Sequence, residues 1–144
     1  MLRKLFIFNF VIFLALNPFT KLHSIEPDVF VQSTVNRAAE TLGGNLSTEE
    51  RIEELKKIAT DTVDIPGIGF YSLGKFRKTM TNEKKNEYQK IFREYFLKSF
   101  SSRLAEYSNP EIEVISKNKI NKNYTIVLSK LIGTDSRPEV KIEW

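Results

Sequence analysis

The spacing of hydrophobic positions changes along the chain, from steps of three and four residues to steps of two residues near residue 110. Before this point, apolar side chains recur at the spacing of helices that bury one face. After it, apolar and polar side chains alternate, as they do in half-buried strands. The pattern predicts an α+β fold in which N-terminal helices precede an antiparallel β-meander.

Two helices are predicted in the first part of the chain. The first runs from Pro27 to about Leu42, where two glycines favour a C-cap. The second begins after Ser47, because Ser47 and Glu50 have the spacing of a capping box, and runs to about Thr62. Their inward faces are predicted to comprise Phe30, Val31, Thr34, Val35, Ala38 and Leu42 in the first helix, and Ile52, Leu55, Ile58 and Ala59 in the second.

The next segment, VDIPGIGFYSLGKF at residues 63–76, is both apolar and rich in glycine. Asp64 is predicted to cap a short, loosely wound helix over residues 65–76. Each glycine costs up to about 1 kcal/mol in a helix interior. We therefore expect this segment to be a wall of the interior that can move. The alternative is that Gly67 and Gly69 are required by local packing.

The longest predicted helix, residues 82–106, carries a wide apolar stripe. Its members are Tyr88, Ile91, Phe92, Tyr95, Phe96, Phe100 and Leu104. Such a stripe is usually core. With the segment 63–76 and the inner face of the sheet, however, it is also compatible with helices packed on one face of a curved sheet around an apolar cavity.

Three strands are predicted at residues 111–116, 124–132 and 139–144. The middle strand is apolar on both faces. One face carries Tyr124, Ile126 and Leu128, and the other carries Val127 and Leu131. The sequence stops at Trp144 inside a strand, which favours a C-terminally incomplete domain.

The N-terminus predicts a signal peptide over residues 1–24, with a basic start and an apolar core at residues 5–16 that is short for a membrane span of roughly 20 residues. A single α+β domain over residues 25–144 follows. Cleavage removes Arg3, Lys4 and Lys21 but no acid, so the 22 bases fall to 19 against 18 acids, a net charge of +1. This balance gives no indication of nucleic-acid binding.

Few residues remain for catalysis, since the chain has no cysteine and its one histidine, His23, lies in the signal peptide. Catalytic triads that use histidine and zinc sites built on histidine or cysteine are therefore excluded from the mature protein. Three function classes stay open: a lipid carrier, a small α+β enzyme that uses Asp64 with Tyr71 on a hydrophobic substrate, and a non-catalytic protein-interaction module.

Residues 27–144, and most specifically residues 63–104, resemble the MlaC family of periplasmic phospholipid-binding proteins, also described as toluene-tolerance auxiliary proteins. The resemblance rests on Asp64, the apolar run after it, Leu73-Gly74-Lys75-Phe76, Thr79-Met80-Thr81 and the aromatic spacing of the long helix. Arg77 stands where relatives commonly have Trp, and Met80 replaces a smaller residue. The family pattern also continues beyond residue 144.

The resemblance implies a monomeric carrier that shuttles phospholipid across the periplasm. Its partners would be an outer-membrane lipoprotein complex and an inner-membrane ABC transporter, in the maintenance of outer-membrane lipid asymmetry. No catalysis, cofactor or metal is implied. The expected lipid-binding residues are Ile65, Ile68, Phe70, Leu73, Tyr88, Phe92, Tyr95, Phe96, Phe100, Tyr124, Ile126 and Leu128. Lys75, Arg77 and Lys78 are candidates for headgroup or partner contact.

Overall fold

The computed structural model describes residues 24–107, 110–133 and 137–144 of the chain. Within these residues, helices come first and an antiparallel sheet follows, as the hydrophobic spacing predicts. The elements are α1 (Pro27–Gly43), α2 (Thr48–Thr62), α3 (Ile65–Ser72), a 3₁₀ helix (Gly74–Lys78), α4 (Asn82–Ala105), β1 (Ile112–Asn121), β2 (Tyr124–Leu131) and β3 (Val140–Glu143). Apart from Ser24, the predicted signal peptide lies outside the described residues.

Side-chain caps mark where α2 and α4 begin. The capping box at α2 is present: Ser47 Oγ accepts from the backbone N–H of Glu50, and the Glu50 carboxylate accepts from the backbone N–H of Ser47. Thr81 caps α4 by accepting from the N–H of Lys84. Both helices therefore start at the positions that the sequence predicts.

The sheet has the strand order β1-β2-β3 with antiparallel pairing throughout. An irregularity between Val114 and Ser116 shifts the register of β1. After it, Lys117 lies opposite Val127 and so shares the inner face of the sheet with that residue. The Lys117 ammonium donates to Glu26 at 3.2 Å and to Asp28 at 2.7 Å, which ties the start of α1 to β1.

The buried core is divided into two clusters. One joins α1 to the sheet through Val31, Val35 and Val127. The other joins α1, α2 and α4 through Leu42, Leu55 and Ala105. An interior that consists of two small clusters leaves room between them, and the candidate site lies there.

Candidate functional site

An apolar cavity of about 580 Å³ lies between the helices and the inner face of the sheet. Its volume falls within the roughly 300–1,000 Å³ typical of ligand pockets. Most of the side chains around it are aliphatic or aromatic. Its lining comprises Pro27, Phe30, Val31, Thr34, Val35 and Ala38 of α1; Leu55, Ile58, Ala59 and Thr62 of α2; Val63, Asp64 and Ile68; Phe96, Phe100 and Leu104 of α4; and Ile112, Thr125, Val127, Leu131, Ile142, Glu143 and Trp144 of the sheet region.

The floor of the cavity is one face of the sheet. Val127 and Leu131 of β2 are both 1% exposed and line the cavity. Trp144 pairs with Val127 through two backbone hydrogen bonds, and its indole N–H donates to Ser129 Oγ at 2.9 Å. These bonds hold a large ring in the wall while satisfying its polar atom.

A ladder of four rings runs along α4 and belongs to two different environments. Tyr88, Phe92, Phe96 and Phe100 stack at centroid distances of 5.9, 6.1 and 5.7 Å. Phe96 and Phe100 line the cavity, whereas Tyr88 and Phe92 lie beside α3. The Tyr88 and Ser72 hydroxyls are 2.8 Å apart, which links the two helices.

Helix α3 packs on the N-terminal half of α4 at Gly69, and Ile65 and the adjoining Leu73 are buried as well. A Cβ on Gly69 would lie 2.7 Å from Phe92 Cδ1 and 2.9 Å from Gln89 Oε1, so the close approach of the helices requires glycine. Asp64 caps α3 by accepting from the N–H of Gly67 at 3.0 Å. The alternative of a local packing cause thus has a direct structural basis at Gly69.

Three of the twelve expected lipid-binding residues line the cavity: Ile68, Phe96 and Phe100. The other nine lie outside its lining. Tyr124, Ile126 and Leu128 point to the opposite face of the sheet, because neighbours in a strand alternate and Val127 faces the cavity. Tyr95 is 68% exposed. The remaining five are Ile65, Phe70, Leu73, Tyr88 and Phe92, which belong to α3, the turn after it and the adjoining half of α4.

Half of the lining residues that the expected lipid-binding set lacks come from α1 and α2. Their spacing correctly predicts the inward faces of both helices, but an inward face can contact a filled core or a cavity with the same pattern. Val31 and Val35 show this, since each contacts the sheet cluster and also lines the cavity.

The few polar groups of the lining do not form a catalytic constellation. Asp64 is engaged as a helix cap, and Tyr71, its proposed catalytic partner, is 80% exposed. Among the described residues, no group of His, Asp or Glu side chains could hold a metal ion.

One ion pair joins the start of α1 to β1 next to residues that line the cavity. Lys117 lowers the pKa of Asp28, chiefly through a hydrogen bond, and the same bond raises the pKa of Lys117. Asp28 follows Pro27 in sequence, and Lys117 lies opposite Val127 in the sheet. Since Pro27 and Val127 line the cavity, the ion pair is a neighbour of its lining.

In the described part of the chain, no helix has both the length and the hydrophobicity that crossing a membrane requires.

A protein of known structure has a fold similar to that of this chain. The solved structure of a phospholipid-binding protein from Ralstonia solanacearum, in complex with a phospholipid, is similar to this chain with a TM-score of 0.65 and 13% identity, over 83% of this chain and 70% of that one. At this identity, the likeness concerns the fold alone. A comparison with curated proteins gives no match. The model of the MlaC protein family matches residues 31–144, well over half of the sequence, and this chain therefore belongs to the MlaC family.

Proposed function

We propose that this protein binds phospholipid in the cavity and transports it, without transforming it chemically. The observation that carries the proposal is the apolar cavity of about 580 Å³ between the helices and the sheet. The phospholipid bound by the structurally similar Ralstonia solanacearum protein and the membership of the MlaC family support it.

The size of the cavity suits acyl chains. A methylene group is close in size to a water molecule, which takes up about 30 Å³ in the liquid. The cavity of about 580 Å³ would therefore hold about twenty methylene groups, which is one long acyl chain. Burying each methylene stabilises the bound lipid by about 0.8 kcal/mol, so one buried chain gives a large driving force.

Within this proposal, Phe96 and Phe100 form the aromatic side of the chain-binding site and Ile68 forms part of its edge. Val31, Val35 and Val127 form the aliphatic side opposite them. Since Glu143 and Asp64 also lie along the lining, the cavity meets polar surface there, where a headgroup can remain hydrated.

The finer proposal is a periplasmic shuttle. The N-terminal sequence supports export, and the MlaC family supports exchange between an outer-membrane lipoprotein complex and an inner-membrane ABC transporter. A carrier that hides an acyl chain removes the main obstacle to crossing water, which is the exposed apolar surface of the lipid.

Native mass spectrometry tests the lipid-binding proposal with two neighbouring alanines of α1. Ala38 lines the cavity and Ala39 does not. We expect wild-type protein, isolated from cells, to carry phospholipid, Ala38→Trp to lose it because the indole fills the cavity, and Ala39→Trp to retain it. Circular dichroism checks that both variants fold. Lipid-free wild-type protein that also fails to take up phospholipid from vesicles would overturn the proposal.

A further inference from the structure

The surface formed by α3 and the 3₁₀ helix carries exposed rings and cations that neither the core nor the cavity uses. Phe70, Tyr71 and Phe76 are 43%, 80% and 60% exposed. Three exposed cations follow within the same short stretch. We define the basic aromatic surface as Phe70, Tyr71, Lys75, Phe76, Arg77 and Lys78.

Contacts between rings and cations join this surface into one patch. The Arg77 guanidinium lies 5.8 Å from the centroid of Phe70, and the Lys75 ammonium lies 5.8 Å from the centroid of Phe76. Because Arg77 reaches back to Phe70, the patch spans both short helices. Helix α3 packs on α4 at Gly69, whereas these rings stay exposed.

The charge of the patch is one-sided. No acid occurs from residue 65 to residue 82, while three bases do. Among the described residues, none of these three cations has a carboxylate within 4.0 Å, in contrast to Lys56, Lys57 and Lys117. Unpaired cations are free to interact with an external anionic surface.

We propose that the basic aromatic surface docks the protein on a bilayer that contains anionic lipids. Tyrosine favours the headgroup region of a membrane, which accommodates both its apolar ring and its hydroxyl, and phenylalanine occurs on the buried face of helices that lie in that region. Lysine and arginine at an anionic surface each add about fivefold to the affinity. The combination on a short helix with an exposed apolar face is typical of a protein that lies on a membrane rather than across it.

The basic aromatic surface lies next to one edge of the cavity, so docking on a bilayer would place the cavity near lipid. Ile68, on the same helix as Phe70 and Tyr71, is 43% exposed and also lines the cavity. A protein seated on lipid through α3 therefore brings this edge of the cavity to the bilayer. An acyl chain could then pass between membrane and cavity with little exposure to water. Attachment itself does not depend on whether the cavity holds a phospholipid, so the two proposals can fail separately.

Co-sedimentation of the full chain with vesicles tests the proposal. Wild-type protein is expected to bind vesicles of phosphatidylcholine with phosphatidylglycerol more tightly than vesicles of phosphatidylcholine alone, and less tightly as salt is added. The variant Lys75→Gln, Arg77→Gln, Lys78→Gln is expected to lose about a hundredfold in affinity for the anionic vesicles.

Two matched controls distinguish binding through the basic aromatic surface from a general attraction of the protein to vesicles. The variant Lys119→Gln, Lys122→Gln, Lys141→Gln removes the same charge from exposed positions on the sheet and its hairpin, and should lose less than about fivefold, the effect of one cation at the surface. Phe70→Ser with Phe76→Ser should weaken attachment about tenfold. Ile115→Ser with Ile120→Ser, which changes apolar residues of similar exposure on β1, should not.

The proposal would be overturned by equal losses of affinity in the two triple glutamine variants, or by a wild type that shows no preference for anionic vesicles. The proposal would also be overturned if the protein bound neither type of vesicle but bound an acidic protein through these cations. All substituted residues are exposed, so unchanged circular dichroism and thermal midpoints are expected and show that a loss of attachment is not a loss of folding.

Discussion

The two halves of α4 have the same aromatic spacing and different surroundings. In the N-terminal half, Phe92 lies so close to α3 that Gly69 has no room for a side chain. In the C-terminal half, Phe100 faces a cavity of about 580 Å³. The ring ladder is continuous across the boundary, with similar centroid distances in both halves. The environment of a ring is therefore set by the neighbouring element, and its own helix decides only the direction in which it points.

The largest expected difference between the halves is in stability. Phe92→Ala should lower the free energy of unfolding of lipid-free protein by about 3 kcal/mol, because the ring packs against another helix. Phe100→Ala should cost about half as much, since one side of its ring has fewer packing partners to lose. Urea unfolding of the two variants measures both losses. Equal losses would mean that the C-terminal half is packed as tightly as the N-terminal half.

A smaller effect is expected from adding one methyl group at the contact between α3 and α4. Gly69→Ala places a Cβ 2.7 Å from Phe92 Cδ1, so the ring must shift. We expect a loss of about 2 kcal/mol in the free energy of unfolding, typical of overpacking. Tyr71→Ala on the same helix, 80% exposed, is the control and should change stability by about 0.5 kcal/mol or less.

The same variant decides between a packed and a movable α3. If Gly69→Ala leaves stability unchanged and slows only the exchange of lipid with vesicles, α3 is a wall that moves independently of α4. A loss of stability, with exchange altered no more than in other variants of similar stability, supports the packed contact.

Hydrophobic spacing predicts the fold well because helices and strands differ clearly in period and several helices also have a side-chain cap. The start of α4 after Thr81 and the capping box at Ser47 are examples, and both are present. The α+β order of helices followed by an antiparallel meander is confirmed. These features depend on local chemistry, which a single sequence contains.

The cavity lining is harder to predict because it depends on tertiary pairing. Strand β2 offers apolar residues on both faces, and alternation alone does not decide whether Ile126 or Val127 faces the helices. The register shift after Val114 adds to this, since it places Lys117 on the inner face of β1. No local signal of turn or charge marks that shift.

The smallest expected effect concerns the ion pair of Lys117 with Asp28, next to the cavity lining. Within the part of the chain that the structure describes, no ion pair lies at the packed end of α4. Lys117 lowers the pKa of Asp28, so this pair should contribute stability at neutral pH. The contribution is present above the ordinary aspartate pKa of 3.8 and is lost as the pH falls through the lower pKa of the folded protein.

The raised pKa of Lys117 has the opposite pH dependence. Its contribution to stability is complete below pH 10.5, the ordinary lysine pKa, and is lost as the pH rises through the higher pKa of Lys117 in the folded protein. Between these limits, the stability difference between wild type and Lys117→Gln should stay constant, and it should shrink at both extremes. Urea midpoints measured across the pH range check this, with Lys119→Gln as the control. Since the pair is exposed, added salt should also reduce the difference. A difference that persists at pH values low enough to protonate Asp28 in the folded protein would show that Lys117 stabilises the start of α1 by packing of its aliphatic stem and not by charge.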